Sequence, residues 1–199
     1  MTDIFYEFGG KAYVNLTNKC CLKCSFCIRN NGDSVGSADT LWYQGGDPDM
    51  DQIMKALEEF HLENYDEVVF CGYGEPTFAL DNMIKVGTYI KGHYDIKTRL
   101  NTNGLGDFIN KKKIVPLLEP FLDSVSISLN ASSAESYNTR CKPGFEGAYE
   151  TMIDFIKECK GHIPEVKVTV VDIIPDTEIE ECRRIAEDLG VEYRVRVFS

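Results

Sequence analysis

Apolar residues follow two alternating rhythms along the chain. Short runs rich in β-branched and aromatic residues at 11–16, 66–71, 96–100, 123–129, 166–171 and 191–198 predict strands. Helical spacing fills the intervals. Ile53, Met54, Leu57 and Phe60 follow the acidic turn Pro48-Asp49-Met50-Asp51, and Met83, Ile84, Val86 and Tyr89 repeat the spacing over 80–89. Further helices are predicted over 108–118, 134–139, 145–159 and 175–189, the last stopped by Gly190. Buried-looking strands alternating with helices predict an α/β fold with a parallel sheet, either open and doubly wound or curved like a barrel. The chain, 199 residues, is too short for a full eight-unit barrel of about 250 residues. It reads as one domain over 1–199. The polar stretch 30–46 is expected to be its most mobile part.

In parallel α/β folds, sites gather at the carboxyl ends of strands. Here those ends carry the unusual residues. The first strand runs into a cysteine cluster and the second into Gly72-Tyr73-Gly74-Glu75-Pro76. The third runs into Asn101-Thr102-Asn103-Gly104 and the fourth into Ser128-Leu129-Asn130.

Charge narrows the partners. The net charge is −11, and the triplet Lys111-Lys112-Lys113 reads as a solvated helix face, so nucleic acid is disfavoured. No apolar run of about eighteen residues predicts a membrane span. The N-terminus lacks the pattern of a secretory signal, so a cytoplasmic protein is expected.

Four of the eight cysteines, Cys20, Cys21, Cys24 and Cys27, lie close together. Such clustering points to a metal or redox site rather than a disulfide framework. Cys20, Cys24 and Cys27 form C-x3-C-x2-C, which wraps three corners of one iron–sulfur cubane. Cys21 offers an alternative register, but a ferredoxin run from it fails at Asn31. Structural zinc would need a second ligand pair, and none is present. Three ligands leave one iron open to bind a cofactor or substrate. Cys71, Cys159 and Cys182 read as packing residues. Cys141 is expected on a loop, beside Arg140 and Lys142, which would lower its pKa. The three histidines read as surface or packing residues.

These residues resemble a known signature. The run Asn15-Leu16-Thr17-Asn18-Lys19-Cys20-Cys21-Leu22-Lys23-Cys24-Ser25-Phe26-Cys27 is similar to the C-x3-C-x-aromatic-C motif of radical S-adenosylmethionine (SAM) enzymes. Gly72-Tyr73-Gly74-Glu75-Pro76 resembles their glycine-glycine-glutamate motif, with tyrosine at the middle position. The run Tyr13-Val14-Asn15-Leu16-Thr17-Asn18 and the run Phe26-Cys27-Ile28-Arg29 look most like the small members associated with TatD-family hydrolases.

The resemblance implies a partial (β/α)6 TIM-like barrel, open on one side. It implies a 4Fe–4S cluster on Cys20, Cys24 and Cys27, with SAM chelated at the open iron. Gly72, Tyr73, Gly74 and Glu75 would line the methionine amino group, the glycines giving it room. Asn101 and Asn103 would help hold the cofactor. Ser128 and Asn130 would meet the ribose, although Asn130 is also a candidate helix cap. Phe26 and Ile28 would flank the adenine, Val171 and Val197 would supply apolar packing, and Arg140 would pair with the SAM carboxylate. Trp42 and Tyr43 would either seat a lid or meet substrate.

The implied activity is reductive cleavage of SAM to a 5′-deoxyadenosyl radical that abstracts hydrogen from a small molecule, peptide or protein. An external one-electron reductant of flavodoxin or ferredoxin type would be needed. The alternatives are a 7-carboxy-7-deazaguanine synthase-like enzyme, a glycyl-radical-activating enzyme, and an iron–sulfur electron-transfer or redox-sensing protein.

Overall fold

The computed structural model describes residues 2–198. The six expected strands form, and another precedes them. β1 (Phe5–Phe8) runs antiparallel to β2 (Lys11–Val14), with Phe8 opposite Lys11. Gly9 and Gly10 connect them with φ of 59° and 75°, the conformation a two-residue hairpin turn requires. The dipeptide between two aromatic-rich runs was the available signal for this hairpin.

β3 (Glu67–Phe70), β4 (Lys97–Thr102), β5 (Ser124–Ser128), β6 (Glu165–Val171) and β7 (Glu192–Arg196) add in chain order, each parallel to its predecessor. β1 and β7 are the edges of the sheet. The six parallel strands therefore form a partial (β/α)6 barrel that stays open on one side.

The crossovers carry α1 (Met50–Phe60), α2 (Leu80–His93), α3 (Gly106–Asn110), α4 (Val115–Leu118), α5 (Ala134–Cys141), α6 (Ala148–His162) and α7 (Asp176–Leu189). α1 begins at a reciprocal cap, Asp49 with Gln52, each bond 2.9 Å. The single helix expected over 108–118 is two short ones. Lys111 turns into the left-handed region (φ 52°) and Asp107 accepts from the Ile114 N–H. Pro116 then sits in the first turn of α4, where its missing N–H costs nothing.

Strand alternation sorts the two faces. Val14, Phe70, Leu100, Ile127 and Val168 are fully buried under the helices, each such side chain stabilising the fold by about 1.5–3 kcal/mol. The inner face is polar: Arg99 lies opposite Ser124, Asn101 opposite Ser126, and Ser128 opposite Thr169.

Segment 30–46, expected to be mobile, is fastened instead. Asp3 accepts from the N–H groups of Asp39 and Thr40, and Ser37 exchanges hydrogen bonds with Glu7. Asn15 donates to the Leu41 carbonyl at 2.8 Å. Ala38 and Leu41 bury themselves against Tyr6 and Tyr73, with Tyr13 and Trp42 alongside. The segment thus roofs the inner face of β1 and β2.

Candidate functional site

The carboxyl ends of β2 and β3 are bound to each other first. The Glu75 N–H donates to the Lys19 carbonyl at 2.8 Å, and the Tyr73 N–H to Asn15 Oδ1 at 3.3 Å. A Cβ on Gly72 would stand 2.0 Å from Asn15 Oδ1, and one on Gly74 would stand 2.3 Å from the Thr17 carbonyl. The chain's own β2 extension fills the space a side chain at either position would take, which is a structural reason for glycine there.

That contact sets Glu75 in a buried socket. Its carboxylate accepts from Thr102 Oγ1 at 2.6 Å, the Asn103 N–H at 2.7 Å, Thr77 Oγ1 at 2.8 Å and the Thr77 N–H at 3.3 Å. Burial pushes its pKa above the usual carboxylate value, against the pull of these donors. β3 and β4 are thereby locked together at their ends. Asn103 turns its amide toward the cysteines, 3.7 Å from Cys21 Sγ and 4.0 Å from Cys20 Sγ.

The cysteine loop is held from the other side by α5. The N–H of Lys23 donates to the Cys141 carbonyl and that of Ser25 to the Arg140 carbonyl, each at 3.0 Å. These are last-turn carbonyls, which have no partner within their own helix. Cys141 therefore ends α5 and is fully buried, not on the expected loop. Its pKa is lowered chiefly by a hydrogen bond from the Cys24 thiol, then by the Asn130 amide, with Arg140 contributing less. Burial pushes Cys20 up to about 11 and Cys21 up to about 12. Cys27 instead receives Arg29 Nε at 3.3 Å. The Arg29 guanidinium lies 5.8 Å from the Trp42 ring centroid, and Trp42 meets Tyr73 edge-on at 5.2 Å.

The donor set suits a cluster. Cys20, Cys24 and Cys27 are free thiols on one loop. Among the described residues no three His, Cys, Asp or Glu side chains converge on a single ion, and the corners of a cubane lie farther apart than that. Across from the loop, Asn130 Oδ1 and Tyr137 Oη are buried without a hydrogen-bond partner among the described residues. Tyr137 faces Cys141, Cys24, Cys21 and Glu75. Such orphans cost about 1–3 kcal/mol each, and a ligand rich in hydroxyl and amine groups would relieve them. Asn130 sits at the end of β5 with φ 59°. It is not the cap of α5, because Ser133 fills that role.

The other expected residues divide. Asn101 and Ser128 face the lumen, Asn101 accepting from Arg99 at 2.9 Å. Phe26 packs partly against the core, and Val171 is buried at the end of β6. Ile28 is 42% exposed on the cysteine loop. Val197 lies beyond β7 and is 79% exposed, so it supplies no packing there. Arg140 is held by both carboxylate oxygens of Glu178 at the start of α7, which removes it as a free partner for a cofactor carboxylate. Strand β7 brings Arg194 and Arg196 to the inner face instead, opposite Thr169 and Val171. The charged–apolar alternation Glu192-Tyr193-Arg194-Val195-Arg196 was the signal for this half-exposed strand.

A cleft of about 430 Å³ opens beside the loop, lined by Cys24, Cys27 and Trp42 and by the cations Lys23, Arg29 and Lys142. No described helix is long and apolar enough to cross a membrane.

Comparison with known proteins adds to this geometry. The Radical SAM superfamily model matches residues 14–189. A probable dual-specificity RNA methyltransferase RlmN of Pseudothermotoga lettingae is 32% identical over 141 residues, 66% of this chain and 37% of that protein. Molybdenum cofactor biosynthesis protein 1 of Dictyostelium discoideum is 24% identical, with 98% of this chain and 29% of that protein covered. The chain thus spans about a third of the length of these curated relatives. Among solved structures, native anSMEcpe with bound AdoMet superposes with a TM-score of 0.67 at 15% identity, covering 94% of this chain and 50% of that one.

Proposed function

The chain belongs to the radical SAM superfamily, and from that premise we propose that it is an enzyme that cleaves SAM reductively and abstracts hydrogen from a substrate held in the open lumen. Its cofactors are a 4Fe–4S cluster on three cysteines and SAM, which the family uses. The observation that carries the proposal is the meeting of three free thiols in C-x3-C-x2-C spacing with Asn130 Oδ1 and Tyr137 Oη, both buried and without a partner among the described residues.

Cys20, Cys24 and Cys27 would be the ligands, leaving one iron for SAM. When bound, the cluster supplies the electron that splits SAM into methionine and the 5′-deoxyadenosyl radical. The backbone of Gly72–Glu75 would receive the methionine amino group, fixed in place by the Glu75 socket. Asn101 and Asn103 would help hold the cofactor. Asn130, with Ser128 behind it, would accept from the ribose hydroxyls. Phe26, Ile28 and Val171 would flank the adenine. The roof formed by 30–46 would keep water from this side of the lumen. The cationic cleft at Lys23, Arg29 and Lys142 suits an acidic one-electron donor of flavodoxin or ferredoxin type. The resemblance to the small TatD-associated members rests on residues 13–18 and 26–29 alone.

The test is anaerobic reconstitution with iron and sulfide, reduction with dithionite, addition of SAM and quantification of 5′-deoxyadenosine. Wild type should form it and Cys24→Ala should not. Cys20→Ala should lose the cluster and Cys21→Ala should retain it; the reverse would shift the ligand register to Cys21. A loaded, reducible cluster that never cleaves SAM, even with cell extract supplying substrate, would favour electron transfer or sensing.

A further inference from the structure

On the inner face of the sheet each carboxylate already has its cation. Glu67 takes Lys11 and, at 3.0 Å, Arg99. Glu165 takes Lys97 at 2.6 Å and Glu192 takes Lys167 at 2.8 Å. β7 then adds Arg194 and Arg196 to the same face, two residues apart and both solvent-accessible. Among the described residues neither forms an ion pair or a side-chain hydrogen bond. In a chain of net charge −11, two adjacent arginines without a carboxylate run against the average of the surface.

Arg196 points inward. Desolvation pulls its pKa below the ordinary guanidinium value, Arg194 pushes the same way, and Cys71 and Tyr13 are close enough to act on it. Those two belong to the β2 and β3 side of the lumen, across the opening from β7. A concave wall has this effect: water reaches the side chain while the surrounding protein displaces part of its hydration. Thr169 lies opposite Arg194 and Ser128 opposite Thr169, so hydroxyls continue along the same face. Two guanidinium forks beside a row of hydroxyls match the geometry of an oxyanion.

We propose that Arg194 and Arg196 bind an anionic oxygen group of the substrate, a carboxylate or a phosphate, at the open side of the lumen. The proposal rests on the reading of this chain as an enzyme whose substrate enters the lumen. It narrows the substrate class to acidic molecules. SAM also carries a carboxylate, so the experiment has to separate the two sources.

Inorganic phosphate and succinate serve as probes, titrated by calorimetry into the protein as isolated and after anaerobic reconstitution, with SAM titrated in parallel. R194Q/R196Q should weaken binding of whichever probe the wild type takes by about tenfold or more. SAM affinity should fall by less than about threefold. R183Q/R184Q, which removes the same charge from the outer helix α7, should leave probe binding within about twofold. R196Q alone serves the same comparison should the double variant fail to fold. Three results would overturn the proposal: no binding of either probe by wild type, an equal loss in the α7 control, or a loss of SAM affinity as large as the loss of probe affinity. Binding is read without turnover, so a failure to form 5′-deoxyadenosine would leave this result standing, and a failure here would leave the family chemistry standing.

Discussion

The two flanks of the barrel satisfy their polar groups in opposite ways. On the side of β1 to β3, the polar groups are answered from within the chain, with the buried Asn18 Oδ1 the exception among the described residues. Glu75 has four donors, Asn15 holds both Leu41 and Tyr73, and the 30–46 segment roofs the face. On the side of β5 to β7, buried Ser124, Asn130 and Tyr137 each keep an oxygen without a partner among the described residues, and Arg194 and Arg196 form no ion pair with any of them. The first flank is a finished scaffold. The second has the properties of a surface whose partners are ligands, because a protein keeps unpaired buried polar groups at a cost in stability.

This contrast can be broken by substitution. Glu75→Gln places an amide among four donors and should cost about 3 kcal/mol of unfolding free energy, read by urea denaturation of the cluster-free protein. A loss below about 1 kcal/mol would mean that the socket is not rigid.

The Arg140–Glu178 pair joins α5 to α7 on the second flank through both carboxylate oxygens. Hydrogen bonding from Arg140 holds the Glu178 carboxyl below the usual carboxylate range. Its contribution is therefore present above the unfolded-state value of about 4.3 and is lost as pH falls through the lower folded-state value. Glu178→Gln should cost about 2 kcal/mol at pH 6, and that cost should vanish in acid. A penalty independent of pH would assign the effect to packing instead.

The finest test pairs two tyrosines. The Tyr73 hydroxyl donates to the Gly32 carbonyl at 2.6 Å, so Tyr73→Phe should destabilise by about 1 kcal/mol and speed amide exchange in 30–46. The Tyr137 hydroxyl has no partner among the described residues, so Tyr137→Phe should leave the cluster-free protein unchanged or stabilise it by about 0.5 kcal/mol. Equal losses in both would erase the distinction between the flanks.

Much of the scaffold was legible because it depends on periodicity. All six parallel strands and the long helices followed from runs and spacing, and the strand ends marked where chemistry gathers. The misses have physical causes. β1 is four residues long and depends on a Gly-Gly turn rather than on its own pattern. The order of 30–46 comes from long-range bonds to Asp3, Glu7 and Asn15, which local polarity conceals. Arg140 looked free because Glu178, its partner, is 38 residues away. Arg194 and Arg196 were passed over because β7 was read as an apolar run, although an edge strand can leave one face wet.

The backbone bonds from Lys23 and Ser25 run to the end of α5. They fix the cysteine loop at two points without using a cysteine side chain. Replacing one of its thiols should therefore leave both anchors of the loop in place.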